Sequence, residues 1–381
     1  KPLHPFWLQF KPAVMEIKQD CRFFHSSRPC SFHKKDGVSC HTCQHYQPYS
    51  GSLLIIKREA LGDVLRTTAL LEPLRQRYPY FRFIWLTAAE SQKLLENNPL
   101  IDEVWTDASA FYLTAVSFLQ FDLIINLDLS VESLLLAAIA PARKRVGFWL
   151  DRSGKIIFSN SAARQWFALS HNDQAKKSGR VSYQRWMAQI MELETIGRII
   201  VPISNASANK AMAFALTNRL AGKKVIGINP GSGTRWLTKR WPEENWRKLI
   251  ECLQGNRILL LGGKEEENTL NRLAARYPEI VLNTGADNSL SDFFALVNLC
   301  DVVVTGDTLT LHIATGLNKK VVALFGPTSA AEIEDYGLVK KIVTPWLCQC
   351  CYRRECPDYP ACMAAIDPVE VSQLVLRLLR E

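Results

Sequence analysis

The sequence predicts an α/β protein of two doubly wound, parallel-sheet domains facing each other across a cleft. Three observations carry this reading. Short apolar or β-branched runs alternate with helix-patterned segments along most of the chain, as in parallel sheets joined by crossover helices. Two of the strand-turn-helix units, one in each half, place polar residues at the turn. The length of 381 residues exceeds one ordinary domain and suits two α/β domains, each with a full core.

The first unit begins with the apolar run 52–56 (SLLII), followed by KREALGDVLRTTALLEPLRQRYP. Gly62 and Asp63 open a helix whose apolar positions Val64, Leu65, Leu70, Leu71 and Leu74 recur at helical spacing, and Tyr78-Pro79 ends it. Asp63 thereby stands at the mouth of the sheet, where a general base meets substrate, although a first-turn carboxylate also favours a helix by itself. Further strands are expected at 83–86 and 123–127. The domain switch falls between Ile200 and Lys223, with an Ala-rich helix over 206–220.

In the second half, the run 225–228 leads into NPGSGTRW. There Gly231, Ser232, Gly233 and Thr234 form a glycine-rich turn whose N–H groups and hydroxyls suit phosphate oxygens. A strand over 258–261 follows, and strands over 301–305 and 321–325 flank GDTLTLHIATGLNKK. A right-handed crossover between these two puts Asp307, Thr308 and His312 at the carboxyl end of a parallel strand and on the next helix. Open α/β sheets bind ligands in that crevice, and a helix N-terminus there favours an anion such as diphosphate. Capping alone would also account for Asp307.

Hydrophobic residues make up 48% of the chain, ordinary for a globular protein, and Glu132 interrupts 129–142, the nearest approach to a membrane span. The opening KPLHPFWLQFKPAVMEIKQD lacks a long apolar core and a small-residue cleavage site, which predicts no secretory leader and a cytoplasmic protein. Between Pro141 and Ile190, ten Lys or Arg stand against two Asp, so Arg143, Lys144 and Arg145 read as part of a patch for an anionic partner. A solvated face is the plainer alternative.

Eleven cysteines are unusual for such a protein. Cys21, Cys30, Cys40 and Cys43 lie in a segment too poor in apolar residues for its own core, and the Cys40-x-x-Cys43 spacing suits a metal. Zinc is the first expectation for this set, an iron–sulfur cluster the alternative, and disulfides the competitor. His25, His33, His41 and His45 are spare donors. Cys348, Cys351, Cys356 and Cys362 form a second, weaker candidate set beside Cys350. Cys252 and Cys300 read as core residues.

Three segments in this order, KREALGDVLRTTALLEPLRQRYP, NPGSGTRWLTKRWPEENW and GDTLTLHIATGLNKKVVALFGPT, resemble the ADP-heptose glycosyltransferases, glycosyltransferase family 9. The resemblance runs from about Leu53 to the C-terminus. It implies a GT-B fold of two Rossmann-like domains, an acceptor domain over 51–205 and a donor domain over 206–345, with a Cys-rich extension over 1–50 before them and a Cys-rich segment with a C-terminal helix over 346–381 after them. In that family the C-terminal helix often returns to the first domain, which would let the two cysteine groups share one site. The resemblance also implies an inverting glycosyltransferase of lipopolysaccharide synthesis, with Asp63 as base and no catalytic metal. Lys239 would lie near the donor phosphates, Glu266 at the nucleotide ribose, and Asp307, Thr308 and His312 at the sugar and diphosphate. Leu309 departs from the glycine that many relatives carry. The implied partners are an ADP-sugar donor, an anionic saccharide or glycolipid acceptor and the inner membrane surface, with no specific nucleic acid. A metal-bearing binder of nucleic acid or another anion is the alternative. A nicotinamide oxidoreductase fits poorly, because REALGD stands where G-x-G-x-x-G would be needed.

Overall fold

A computed structural model describes residues 16–233 and 236–381. The leader reading, which draws on residues 1–15, and Thr234 of the glycine-rich turn lie outside the described residues. Two six-stranded sheets form the frame. The first comprises β1 (Gly51–Ile56), β2 (Phe81–Thr87), β3 (Glu103–Thr106), β4 (Phe121–Asn126), β5 (Ala142–Leu150) and β6 (Ile156–Phe158), in the order β3-β2-β1-β4-β5-β6. The second comprises β7 (Val225–Asn229), β8 (Arg257–Leu260), β9 (Val281–Asn283), β10 (Val302–Gly306), β11 (Lys320–Phe325) and β12 (Val339–Val343), in the order β12-β11-β10-β7-β8-β9. Neighbouring strands run parallel except at the edge pair of β5 and β6.

The strand order reverses between β1 and β4 in one sheet and between β7 and β10 in the other. Crevices form at such points, because successive crossovers leave to opposite faces of the sheet. β7 and β10 are buried along their whole length, which explains why they read as continuous apolar runs without alternation.

The helix expected after β1 is divided. α2 spans Leu61–Thr67, a 3₁₀ turn covers Thr68–Leu70, and α3 spans Leu71–Arg77. Pro73 has no N–H to offer the Ala69 carbonyl. That carbonyl instead accepts from Gly197 N–H at 2.8 Å, while Ile200 N–H donates to Thr68 Oγ1 at 2.9 Å. The break is where the strap between the sheets is tied to the first domain. One apolar cluster continues across it, from Leu53, Val64 and Leu65 through Ile199 to Val303, Leu311 and Ile313.

The C-terminal helix Pro368–Arg380 does not return to the first domain in the way the resemblance suggests. Its buried Val371, Val375 and Leu378 share a core with Ile226, Trp246 and Leu249 of the second domain. The Cys-rich segment before it does touch the first domain, where Lys177 donates to the Leu347 carbonyl at 2.7 Å, but none of its cysteines lies with Cys21, Cys30, Cys40 and Cys43.

Candidate active site

Asp63 stands on the first turn of α2, directly beyond β1. Three residues on, Arg66 reaches back to pair with Asp63 Oδ1 at 2.8 Å. The Arg66 guanidinium lies over the Tyr183 ring at 3.8 Å, and Tyr183 Oη is 3.1 Å from Thr67 Oγ1. The arginine is therefore fixed on one side by an aromatic face and on the other by a carboxylate. The loop before α2 is held from below. Buried Lys57 pairs with Asp128 and donates to the Glu59 carbonyl, and Arg58 N–H also donates to Asp128. Asn126 in turn fixes Asp128 through its backbone N–H and carbonyl, each at 3.1 Å.

These charges set the state of Asp63. Burial works to raise its pKa, but Arg66, Lys57 and His312 outweigh that and hold it below the usual 3.8. The carboxylate is ionised at neutral pH, and over a third of its side-chain surface remains open.

The second domain supplies the facing residues. Lys239 Nζ pairs with Asp307 Oδ2 at 2.8 Å and lies 3.3 Å from the Asp307 carbonyl. Burial would raise the Asp307 pKa, yet Lys239 and then His312 carry it down to about 2. Thr308 caps the helix Leu309–Gly316, accepting from Thr310 N–H at 3.2 Å. Its hydroxyl also donates to Asn229 Oδ1 at 3.2 Å, which joins the end of β7 to the turn after β10. Glu266 lies across Gly231, where a Cβ would stand 2.3 Å from Glu266 Oε1. Glu266 Oε2 accepts from Gly263 N–H at 3.1 Å, whereas buried Oε1 has no hydrogen-bond partner among the described residues. Ser232 Oγ donates to the Trp236 carbonyl at 2.8 Å, which closes the glycine-rich turn.

The two domains meet at His312 and Gly62. A Cβ on Gly62 would lie 3.1 Å from His312 Cδ2, so a side chain there would press on the imidazole. Arg185 and Ser182 of the first domain both bond Glu334 of the second, at 2.8 and 2.6 Å. Burial, with Arg66 adding to it, lowers the His312 pKa from 6.5 to about 4. His312 is thus neutral in the native state while the unfolded chain binds its proton below about pH 6.5. Stability is expected to fall by up to about 3 kcal/mol as pH drops from 6.5 to 4. In urea titrations across that window, His312→Gln should flatten the decline.

The structure therefore gathers Asp63, Lys239, Asp307, Thr308 and His312 around one cleft, with Gly231, Ser232, Gly233 and Glu266 along the second domain's side of it. It does not bring the basic trio there. Arg143 pairs with Asp122 at 3.1 Å and Lys144 lies 3.4 Å from Glu192. Arg145 donates to the carbonyls of Ala137 and Ala140, closing the end of the helix Val131–Ile139. All three precede Gly147, the partner of Asn126, and so lie towards the start of β5, away from the strand ends that form the cleft.

Zinc is not favoured either. No group of three or more His, Cys, Asp or Glu among the described residues is arranged to hold a metal ion. Cys348, Cys351 and Cys356 do lie close enough to Cys362 to raise its pKa electrostatically, after burial. Cys252 is exposed, contrary to its reading as a core residue, whereas Cys300 is buried. Sequence reading passed over Arg66, Lys57, Asp128 and Glu332. Arg66 had a signal, its spacing of three from Asp63. Glu332 is half-buried beside the cleft, bonded by Tyr352, and its pKa is raised by desolvation despite Arg66.

The model of glycosyltransferase family 9 (heptosyltransferase) matches residues 115–361, more than half of the chain. The chain belongs to this family. Lipopolysaccharide heptosyltransferase 1 of Pseudomonas aeruginosa is 32% identical to this glycosyltransferase, over 81% of the present chain and 88% of its own. Among solved structures, a family 9 glycosyltransferase from Veillonella parvula superposes with a TM-score of 0.70 at 19% identity, covering 87% of this chain and 98% of that one. Escherichia coli heptosyltransferase WaaC with ADP-2-deoxy-2-fluoro heptose superposes with a TM-score of 0.58 at 20% identity, covering 86% and 99%. Both structural likenesses bear on the two-domain GT-B fold. Among the described residues no helix is long and apolar enough to cross a membrane.

Proposed function

We propose that this glycosyltransferase moves a heptose from ADP-heptose to a hydroxyl of an anionic saccharide or glycolipid acceptor, with inversion, in lipopolysaccharide core synthesis. One observation carries the reading: an ionised, partly open carboxylate on the first domain faces a Lys-Asp-His group on the second. Asp63 takes the acceptor proton as the acceptor oxygen attacks the anomeric carbon and the bond to the diphosphate breaks. Lys239, the glycine-rich turn and the N-terminus of the helix Leu309–Gly316 offset the charge on the departing ADP. Asp307 suits sugar hydroxyls, since a carboxylate beside the diphosphate is tolerable only with Lys239 between them. The same groups make the transfer independent of a metal. The excess of basic residues over 141–190, whose Arg143, Lys144 and Arg145 lie off the cleft, supports peripheral contact with an anionic cytoplasmic membrane face.

The test is release of ADP from ADP-heptose in the presence of lipopolysaccharide core acceptors, with the anomeric configuration of the product read by NMR. Retention of configuration, or release unaffected by acceptor, would overturn the reading.

Glu266 is the nucleotide's ribose partner in this scheme, because its unpartnered oxygen Oε1 needs hydroxyl donors. Glu266→Gln is expected to weaken ADP binding by about 10- to 100-fold in calorimetry. An unchanged affinity would assign Glu266 to the fold of the turn alone.

A further inference from the structure

Residues 16–50 of the N-terminal extension follow a defined path without a core. From Glu16 to Ser50 no residue is buried, and the only regular elements are α1 (Ser31–Asp36) and a 3₁₀ turn at Cys40–Thr42. Yet the segment has a defined path. Arg22 N–H donates to the Gln47 carbonyl at 2.8 Å, Tyr49 N–H donates to the Asp20 carbonyl at 2.9 Å, and Arg22 pairs with Asp102 of the first domain at 2.9 Å. A segment of this size that buries nothing lacks the apolar burial that offsets chain entropy.

What lies at its centre is a cavity of about 420 Å³. Cys21, Cys30, Cys40 and Cys43 all line it, with Phe32 among the apolar walls, and no cysteine of the C-terminal group takes part. All four are free thiols. Around them, His33 Nδ1 is 3.0 Å from the Val38 carbonyl, and His45 stacks on Phe32 at 3.9 Å. The four cysteines share one cavity, yet among the described residues no three of its His, Cys, Asp or Glu side chains are arranged to hold a single metal ion. A polynuclear cluster differs in this respect, because its thiolates attach to the outer corners of a body several atoms wide. Lys18 and Arg28 also line the cavity, against one carboxylate, Glu16, and so give a net positive lining that opposes the negative charge of such a group.

We propose that this cavity binds an iron–sulfur cluster of the four-iron type, ligated by Cys21, Cys30, Cys40 and Cys43. The cluster takes the place of a hydrophobic core and so couples the fold of the extension to its presence. It is structural: the extension joins the sheet at the amino ends of β1 and β2, where Ser50 N–H meets the Tyr80 carbonyl, and the site of transfer lies at the opposite ends of the strands.

The test uses the full chain purified without oxygen, with iron, acid-labile sulfide and zinc counted per chain and the visible charge-transfer absorption recorded. About four iron and four sulfide are expected. Cys40→Ser and Cys43→Ser should each lower both at least fourfold, while Cys351→Ser leaves them unchanged. Limited proteolysis of the wild-type chain before and after cluster removal by an oxidant and chelator gives a reading free of any folding defect in the variants. Removal should open cleavage within residues 16–50 and leave 51–381 resistant. Stoichiometric zinc without sulfide would overturn the proposal. So would iron lost with Cys351 and kept without Cys43, or an extension equally resistant with and without metal.

Discussion

Asp63→Asn is expected to lower kcat for heptosyl transfer by about 10²- to 10⁴-fold while the Kd for ADP changes less than twofold. The amide keeps the size of the carboxylate and a hydrogen-bond acceptor for Arg66, but it cannot take a proton. ADP affinity is the control because the nucleotide's proposed contacts, Glu266 and Lys239, are on the other domain. The reverse pattern, a weakened ADP complex with normal turnover at saturation, would remove Asp63 from the role of base. The pH profile adds a second reading. Since Arg66, Lys57 and His312 hold the Asp63 pKa below 3.8, this carboxylate stays ionised as pH falls from 7 to 5, and its own titration contributes no loss of kcat/KM there. A fall in that range which persists in Arg66→Lys would belong to another group.

Much of the frame was legible. The continuous apolar runs of β7 and β10 marked strands covered on both faces, and the turns after them marked the crevice. Asp63, Asp307 and His312 were readable because each stands at a strand end or on the following helix, where topology alone places a crevice. Other features depend on partners far along the chain. The break at Thr68–Leu70 requires Gly197, and Lys57 is a buried cation only because Asp128 comes to it across the β1/β4 switch point. The basic trio was misplaced for a related reason. In a strand, successive side chains point to opposite faces, so Arg143, Lys144 and Arg145 cannot form one patch, and Arg145 turns to helix carbonyls. For the cysteines, spacing singled out Cys21, Cys30, Cys40 and Cys43, which line one cavity, but not the size of the space between them.

Asp128→Ala is expected to cost about 3–5 kcal/mol in urea unfolding, the largest stability loss of any single change near the site. It leaves the Lys57 ammonium, whose side chain is only 5% exposed, without its carboxylate, and it strips the acceptor from Arg58 N–H. Burial alone would lower the Lys57 pKa, and it is Asp128 foremost, then Tyr183 and Asp63, that reverse this and raise it. Replacing both partners, as in the Lys57→Met and Asp128→Leu double variant, removes the stranded charge and should restore most of the lost stability. Activity should not recover in parallel. Lys57 is one of the charges that depress the Asp63 pKa, so the double variant is expected to move the acid limb of kcat/KM to higher pH. A double variant that recovers both stability and the wild-type pH profile would make the pair purely structural. One that recovers stability alone would show that the buried ion pair beneath the loop also tunes the base above it.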